Sequence, residues 1–303
     1  MLNRFKDDSR RSLHVPRRQQ TLLRPAVVEG FGYWSGVDAR VEFRPAAPDS
    51  GIVFVRGDLT RPVRIRAAVG NRVETPRRTT LRTGGASVEM VEHIMAALGG
   101  LDIDNCEVWV DAAEMPGLDG SSLPFVEALV EAGVVEQNAV RPTLVVREVT
   151  RLGTDESWVE ARPSTSGGLS LKFHLDYGSA NAIGRQTFSL PVTPDSFRRE
   201  LAPSRTFMLK AEADWLLAQG LGQRTTLKDL LVFGPEGPID NELRFRDECV
   251  RHKALDLVGD LALAGCDVSA HIVAYRSGHR LNADLVRTLL TEGDLIGGLR
   301  RTA

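Results

Sequence analysis

Hydrophobic residues recur along this chain with two different periods, and the two periods follow one another in the same order in each half. Residues 37–43 alternate between hydrophobic and polar side chains, which predicts a strand with one buried face. In residues 87–99, Val91, Ile94, Met95 and Leu98 instead follow the i, i+3, i+4, i+7 spacing of an amphipathic helix. The same patterns predict strands at 106–110, 144–149, 158–161, 169–175 and 268–275, and helices at 124–132, 195–201, 212–219, 247–264 and 282–290.

The order of these elements predicts an α+β fold of two similar domains, each a layered arrangement of β-sheet and α-helices. In each half the strands precede the helices, which is typical of α+β layers and not of alternating βαβ units. Residues 137–142 are polar and end in Pro142, so we place the domain boundary there. The first domain would span residues 18–137 and the second residues 141–303, and their shared element order indicates a duplication.

A basic segment, residues 1–17, precedes the first domain. It contains Arg4, Lys6, Arg10, Arg11 and Arg17 but lacks the apolar core of a secretory signal. We expect this segment to be a disordered tail. A transient electrostatic contact with a membrane surface is the alternative.

Composition narrows the classes of function. A formal net charge of −2 over 303 residues disfavours a nucleic-acid-binding protein, and no apolar run approaches the ~18–20 residues that span a membrane. The cysteines Cys106, Cys249 and Cys266 are too few and too scattered for a disulfide framework, which favours the cytoplasm. We therefore expect a cytoplasmic protein without nucleic-acid partners or stable membrane insertion, and we expect it to be a monomer.

The strongest chemical signal is the spacing of His252, Asp256 and Asp260 in the helix predicted at 247–264. Successive helix residues rotate by about 100°, so these three side chains lie along one edge, opposite a hydrophobic side. A histidine and an aspartate four residues apart can both reach one metal ion. The alternative is a polar helix face in contact with solvent.

Glu92 and His93 are the best candidates to complete a metal site. A catalytic zinc ion needs three protein ligands and an open position, and His93 would be the third ligand. Glu92 would then stand beside the metal as a base, although the pair could equally lie on a solvated helix surface. His279 follows Gly278 in a turn beside a strand end and is a candidate for acid–base work; the alternative is a turn histidine with a local hydrogen bond.

Six stretches of the chain resemble the zinc-dependent UDP-3-O-acyl-N-acetylglucosamine deacetylases of lipid A synthesis. They occur in the order of that family and are distributed along the chain, so that the resemblance covers nearly all of the range from about residue 18 to residue 290. The stretches are residues 18–22, 91–105, 114–121, 204–207, 243–261 and 275–282. The resemblance implies two similar α+β domains with the active site at their interface.

The resemblance also implies roles for individual residues. His93, His252 and Asp256 would hold zinc, and Glu92 would be the general base that takes a proton from the attacking water. His279 would act as a cationic acid or as an electrostatic stabiliser of the reaction.

Further roles follow from the same resemblance. Asp260 would hold the ring of His279, Thr206 would donate a hydrogen bond to the oxyanion, and Lys253 would contact the phosphate region of the substrate. These assignments add the second set of catalytic residues to the zinc ligands and the base.

The implied substrate is a UDP-3-O-acyl-glucosamine-type small molecule. Asp176 and Tyr177 would meet the uracil, and Phe207 would line the acyl site. One alternative is a zinc amidohydrolase of the same fold that acts on a different amphipathic or UDP-sugar amide. The other is a non-catalytic UDP-sugar-binding protein, which would not need Glu92, Asp260 and His279 together.

The chain departs from the family pattern at four places, and the proposed catalytic residues are all intact. These places are Tyr33 with Trp34, residues 76–78, residues 208–210 and residues 222–225. Arg77 and Arg78 occupy positions where the family has smaller or apolar side chains. Because an unpaired guanidinium inside an apolar passage is unfavourable, at least one of them should face solvent or pair with an acid. We expect weaker discrimination in favour of long acyl chains than is typical of the family.

Overall fold

The computed structural model describes residues 16–297. The predicted tail, residues 1–17, therefore lies outside the described residues except for Pro16 and Arg17. Arg17 is not free, because its guanidinium pairs with Asp104 at 2.6 Å and with Asp267 at 2.8 Å. No helix among residues 16–297 is long and apolar enough to cross a membrane.

The described residues form an α+β fold of several sheets and helices. The strands are β1 (Arg18–Leu22), β2 (Ala26–Phe31), β3 (Asp38–Pro45), β4 (Ile52–Arg56), β5 (Val63–Arg66), β6 (Arg72–Val73), β7 (Thr80–Thr83), β8 (Ala86–Glu89), β9 (Cys106–Val110), β10 (Val134–Val140), β11 (Thr143–Val145), β12 (Thr150–Thr154), β13 (Ser157–Arg162), β14 (Leu169–Asp176), β15 (Arg185–Pro191), β16 (Phe207–Leu209), β17 (Leu231–Phe233), β18 (Asp267–Tyr275) and β19 (Asp294–Ile296). The helices are α1 (Glu92–Gly100), α2 (Leu123–Ala132), α3 (Pro194–Ser196), α4 (Lys210–Ala218), α5 (Glu248–Ala262) and α6 (His279–Glu292).

The main sheets of the two halves share one pattern of strand pairing. In the first half the order is β2-β3-β9-β4-β5, in which β9 is antiparallel to β3 and parallel to β4. In the second half β18 is likewise antiparallel to β13 and parallel to β14, with β12 and β15 on the outer edges. This repeated topology supports the duplication that the element order indicates, and β11 with β19 extends the second sheet.

Three small sheets complete the architecture. β1 pairs with β10, β6-β7-β8 form an antiparallel ribbon, and β16 lies parallel to β17. The polar stretch 137–142, at which we place the domain boundary, belongs to β10 as far as Val140. Its side chains alternate between exposed and half-buried, as in a strand that pairs along one edge. The boundary itself stays a prediction.

The strands and long helices predicted from periodicity are largely confirmed, and the differences have local causes. The helix predicted over 87–99 begins only at Glu92, because the residues up to Glu89 pair with β7 and Met90 has a positive φ of 58°. The segment 195–201 is not one regular helix but α3 followed by a wide π-type turn. His279 lies not in a turn but in the first position of α6, which starts directly after an extended Gly278.

Candidate active site

The two central helices, α1 and α5, approach each other closely at Gly259. A Cβ atom at this position would lie 2.3 Å from the carbonyl oxygen of Glu92, so only glycine allows this contact. Glycine inside a helix is unfavourable by roughly 0.5–1 kcal/mol relative to alanine. The close contact between the helices offsets this loss of helix stability. It brings Glu92 and His93 of the first half against the polar edge of α5 in the second half.

The polar edge of α5 is buried. His252 is 1% exposed and Asp260 is fully buried, because α5 packs against α1, α6, β14 and β15. Glu92 and His93 are also buried. A solvated polar face, which sequence alone left open for both segments, is therefore wrong.

His93, His252 and Asp256 form a cluster that could hold a metal ion. One ligand atom from each lies within 4.8 Å of the other two. Asp256 Oδ1 lies 3.4 Å from His252 Nε2 and 3.8 Å from His93 Nε2. This oxygen is buried and has no hydrogen-bond partner among residues 16–297. Because an unpaired buried oxygen is unfavourable, a cation at this point would satisfy it.

The protonation states of the cluster also fit a metal ion. Burial lowers the pKa of His252 to about 3 and lowers the pKa of His93, so both rings are neutral near pH 7. Burial opposes ionisation of Asp256, but His252, where acid protonates its ring, and the Lys253 ammonium outweigh it and hold the pKa of this carboxyl below its usual range. His252 Nδ1 lies 3.0 Å from the carbonyl oxygen of Ser204, and this contact leaves Nε2 as the ligand atom.

Glu92 is held beside this cluster. Its Oε2 accepts a hydrogen bond from the backbone N–H of Thr79 at 2.9 Å. Burial raises the pKa of Glu92 to about 7. A carboxylate with a pKa near the working pH can accept and return a proton, as a general base must.

Asp260 organises a second group of side chains on the same edge of α5. Its Oδ2 lies 2.8 Å from His279 Nδ1 and accepts a hydrogen bond from the Asn282 amide at 2.9 Å. Its Oδ1 accepts a bond from the Thr79 hydroxyl at 2.8 Å. Burial alone would lower the pKa of His279, but the Asp260 carboxylate outweighs it and raises this pKa to about 9. His279 is therefore a cation near pH 7.

The cluster opens into a cavity of about 430 Å³. Thr206, Lys253, Tyr177 and Phe207, all singled out by the resemblance, line this cavity together with Glu92 and the metal-binding cluster. The Thr206 hydroxyl has no hydrogen bond within the described part of the chain, so it is available to a ligand. The Lys253 ammonium donates to Asp256 Oδ2 at 2.7 Å.

Asp176 does not line this cavity. Its carboxylate accepts hydrogen bonds from Arg185 and Tyr275, both at 3.1 Å, and from the backbone N–H of Gly178. Its contact with the uracil stays a prediction.

An apolar groove of about 320 Å³ continues from the cavity. Tyr33, Trp34, Met208 and Leu230 line both spaces. Most other lining residues belong to α4 and to the segment between α4 and β17, and the surface that they present to the groove is mainly apolar. The groove therefore offers an unbranched hydrocarbon chain a continuous apolar path away from the metal-binding cluster.

Arg77 and Arg78 both pair with acids, as expected of guanidinium groups near an apolar passage. Arg77 bonds Glu212 at 2.6 Å, and Arg78 bonds Glu89 at 2.8 Å with its guanidinium 5.0 Å from the centre of the Trp34 ring. Neither arginine lines the groove, although Arg77 lines the central cavity. Their effect on chain-length preference stays a prediction.

Several residues that build the site were missed by sequence reasoning. Thr79 holds both Glu92 and Asp260, Ser204 orients His252, and Asn282 supports Asp260. Each acts on a partner distant in sequence, so periodicity could not identify them. Ser204 and Asn282 do lie in the stretches 204–207 and 275–282 that resemble the family, but no role was inferred for them. Gly259 did carry a signal, since a glycine in the middle of a predicted helix suggests a close contact.

Comparisons with known proteins agree with this geometry. A family model described as UDP-3-O-acyl N-acetylglycosamine deacetylase (LpxC) matches residues 19–291. The chain is 38% identical over 277 residues to a protein of Syntrophotalea carbinolica named UDP-3-O-acyl-N-acetylglucosamine deacetylase, covering 91% of this chain and 89% of that protein. It is 39% identical over 276 residues to a protein of the same name from Brucella ovis, covering 90% and 96%.

Proposed function

This chain belongs to the UDP-3-O-acyl N-acetylglycosamine deacetylase family, and from this premise we propose that it removes the N-acetyl group of UDP-3-O-acyl-N-acetylglucosamine in lipid A biosynthesis. It is then a hydrolase that cleaves an amide. The observation that carries the proposal is the buried cluster of His93, His252 and Asp256 beside Glu92, in a cavity that continues into an apolar groove.

The proposed cofactor is zinc, held by His93, His252 and Asp256. Two neutral imidazoles and one carboxylate are zinc ligands, and three protein ligands leave a position open. When bound, zinc would polarise the amide carbonyl and lower the pKa of a water molecule toward about 7. Asp256 Oδ1, buried without a partner among residues 16–297, supports this assignment.

The protein's own groups would supply the proton transfers. Glu92, whose pKa is raised to about 7, takes a proton from the attacking water. The Thr206 hydroxyl donates a hydrogen bond to the oxyanion that develops on the carbonyl oxygen. In a preorganised site such a hydrogen bond is worth roughly 2.7–4 kcal/mol. His279, a cation whose Nδ1 faces Asp260, uses its other ring nitrogen to stabilise this charge or to protonate the departing amine.

The remaining assignments concern the substrate and the cell. Lys253 and Tyr177, which line the cavity, are proposed to meet the phosphate region and the uracil. We propose a cytoplasmic monomer. The three cysteines are free and buried, which agrees with a reducing compartment.

The direct test is release of acetate from the named substrate. Zinc-loaded protein should convert UDP-3-O-acyl-N-acetylglucosamine into acetate and the free amine, both detected by mass spectrometry. The matched control is Glu92→Gln, which should bind the substrate but release acetate roughly 10²–10⁴-fold more slowly. Binding of the UDP-sugar by the wild-type protein without any amine product would favour the non-catalytic alternative.

The pH dependence of the activity should reflect the protonation state of His279. Since its pKa is raised to about 9, the cationic form persists at neutral pH, and activity should fall as the pH rises through about 9. His279→Gln should lower kcat by roughly 10²–10⁴-fold, flatten this basic limb and keep the metal content. His271→Gln, on β18, is the matched control and should leave the profile unchanged. A basic limb that persists in His279→Gln would contradict the role.

The same shift has a consequence for stability. Because the pKa of His279 is higher in the folded protein than its usual 6.5, the ion pair with Asp260 stabilises the fold fully below about pH 6.5. This stabilisation is lost as the pH rises through about 9.

The apolar groove should select for acyl-chain length. Each buried CH₂ contributes about 0.8 kcal/mol, so filling the groove should lower kcat/KM for long chains and spare short ones. Ala213→Trp, inside the groove, should lower kcat/KM for a long-chain substrate by at least about tenfold, the equivalent of fewer than two methylenes. Ala218→Trp, at the exposed end of α4, should have no such effect.

A chain-length series decides this prediction. Equal losses for short and long chains in Ala213→Trp would contradict acyl binding in the groove. The double variant Arg77→Leu, Arg78→Cys tests in the same series whether these arginines weaken discrimination for long chains. If kcat/KM rises steeply with chain length up to twelve or more carbons, and this rise is unchanged in the double variant, the arginines have no such effect.

A further inference from the structure

A fully buried carboxylate lies one helical turn before His252 on α5. The side chain of Glu248 is 0% exposed. Its spacing of four residues places it on the same edge of the helix as His252. Glu248 neither lines the central cavity nor belongs to the metal-binding cluster. Because a buried carboxylate is unfavourable unless it is paired and hydrogen-bonded, its position beside a candidate metal ligand needs an explanation.

The Glu248 carboxylate is paired with Arg205 and accepts two hydrogen bonds on each oxygen. Its Oε1 accepts from the backbone N–H of Arg205 at 3.0 Å and from Nε of the same residue at 2.8 Å. Its Oε2 accepts from Arg205 Nη2 at 3.1 Å and from the backbone N–H of Arg244 at 2.6 Å. The remaining nitrogen of the guanidinium group, Nη1, donates to the side-chain oxygen of Asn241 at 2.9 Å. These bonds hold the backbone of Arg205 against the start of α5.

One peptide group connects Glu248 with His252. The peptide group between Ser204 and Arg205 donates its N–H to Glu248 Oε1 at 3.0 Å. The carbonyl oxygen of the same peptide group lies 3.0 Å from His252 Nδ1. In a trans peptide the N–H and the C=O point in opposite directions, and successive turns of an α-helix are about 5.4 Å apart. Two side chains one turn apart can therefore bind the two ends of one peptide group.

We propose that Glu248 is a positioning residue for the metal site and acts on His252 through the peptide group between Ser204 and Arg205. By accepting the N–H, Glu248 fixes the plane of the peptide group, so that the carbonyl oxygen stays directed at His252 Nδ1. Hydrogen bonds in such a chain polarise one another, which makes the carbonyl oxygen a stronger acceptor. The proton of the neutral ring is then held on Nδ1, and Nε2 is left as a more basic donor to the metal.

This inference rests on the proposed zinc site and deepens it. Glu248 would not touch the metal or the substrate. Arg205 would compensate the charge of the buried carboxylate, and it would also keep the peptide group at the distance that both hydrogen bonds require. The effect of Glu248 should therefore appear in the affinity for the metal and in the proton position on His252.

Two double variants of the full-length protein test this role through the affinity for zinc alone. Both remove the buried ion pair as a whole, because removal of one partner would leave the other charge unpaired. Arg205→Met with Glu248→Gln keeps an oxygen that can accept the peptide N–H, whereas Arg205→Met with Glu248→Leu does not. Competition with a chelating dye measures the dissociation constant of zinc in each variant.

Loss of the acceptor should weaken zinc binding in a graded way. The double variant with Glu248→Leu should bind zinc about 10–100-fold more weakly than the wild type, as is typical when the partner of a metal ligand is lost. The double variant with Glu248→Gln should fall between the two, at least about threefold weaker than the wild type, since a neutral hydrogen bond is weaker than a charge-assisted one. An ion pair that only stabilised the fold would lower the unfolding temperature and leave both dissociation constants unchanged.

Arg251→Met with Asp247→Leu is the matched control. Arg251 and Asp247 form a second ion pair at the start of α5, with 2.7 Å between Nε and Oδ1. Within residues 16–297, neither side chain forms a hydrogen bond with the peptide group between Ser204 and Arg205. This control should bind zinc as tightly as the wild type.

The tautomer of His252 provides a readout that needs neither metal nor turnover. In metal-free protein with isotope-labelled histidine, nuclear magnetic resonance at neutral pH should find the ring proton of His252 on Nδ1 in the wild type and in the control. In the double variant with Glu248→Leu, a substantial fraction of the rings should carry the proton on Nε2 instead.

The possible outcomes separate this inference from the function on which it rests. Either a wild-type zinc affinity or an unchanged His252 tautomer in the folded double variant with Glu248→Leu would overturn the role of Glu248 alone. If that variant does not fold, a wild-type zinc affinity in the double variant with Glu248→Gln would overturn it equally. Failure of the wild-type protein to bind zinc would count against the proposed cofactor, and the tautomer in the metal-free protein would still decide the role of Glu248.

Discussion

Glu92→Gln is expected to lower kcat by roughly 10²–10⁴-fold while zinc content stays at the wild-type level. The substitution keeps the shape of the side chain and its bond from the Thr79 N–H, but the amide cannot accept a proton. Burial raises the pKa of Glu92 to about 7, which is the range that suits a general base at neutral pH. Steady-state kinetics with elemental analysis of the same preparation provide the measurement.

A control variant distinguishes the loss of the general base from the general effect of removing a buried carboxylate. Glu114→Gln is a matched control, because Glu114 is also a buried carboxylate but accepts hydrogen bonds from the backbone of Trp34 and Ser35 outside the metal-binding cluster. It should retain far more activity than Glu92→Gln. A Glu92→Gln enzyme that keeps more than about a tenth of the wild-type kcat would show that another group takes the proton.

His252→Ala is expected to remove both the metal and the activity. Loss of a partner that merely orients a ligand typically weakens metal binding by about 10–100-fold, so loss of a ligand should exceed this. The cluster has only three candidate ligands within residues 16–297, so the loss of one leaves two. Replacement of His93 or Asp256 by alanine should have the same effect.

Two measurements test the metal site independently of turnover. Elemental analysis should find little zinc in His252→Ala, and zinc should no longer raise its unfolding temperature. In the wild-type protein, zinc at 100 times its dissociation constant should stabilise the fold by about 2.7 kcal/mol. His174→Ala, on β14 outside the site, should behave like wild type. Full zinc occupancy in His252→Ala would defeat the assignment.

The proposed roles depend on an arrangement in which few side chains act alone. Thr79 touches Glu92 through its backbone and Asp260 through its hydroxyl, so one residue positions both the base and the partner of His279. This connection means that base and acid are held in a common frame across the contact of α1 with α5. Rigid placement of this kind is what lowers the reorganisation needed during reaction.

Local patterns in the sequence were sufficient to predict the main secondary-structure elements and the residues that α5 contributes to the candidate site. Period-two and period-3.6 patterns depend on which side of one element is buried, so they predict β9, α2 and α5 to within a few residues. The spacing of His252, Asp256 and Asp260 likewise belongs to a single helix and needs no tertiary information. Where local patterns failed, as at Met90 with its positive φ, a neighbouring strand decided the conformation.

The rest of the candidate site was decided by packing between distant parts of the chain. Thr79 and Asp260 are 181 positions apart, and their bond exists only because α1 and α5 meet at Gly259. The apolar groove is also a product of assembly, since it depends on which elements enclose it. Sequence determined which side chains share a face of one element, whereas burial, hydrogen-bond partners and pKa shifts arise only when separate elements exclude water from one another.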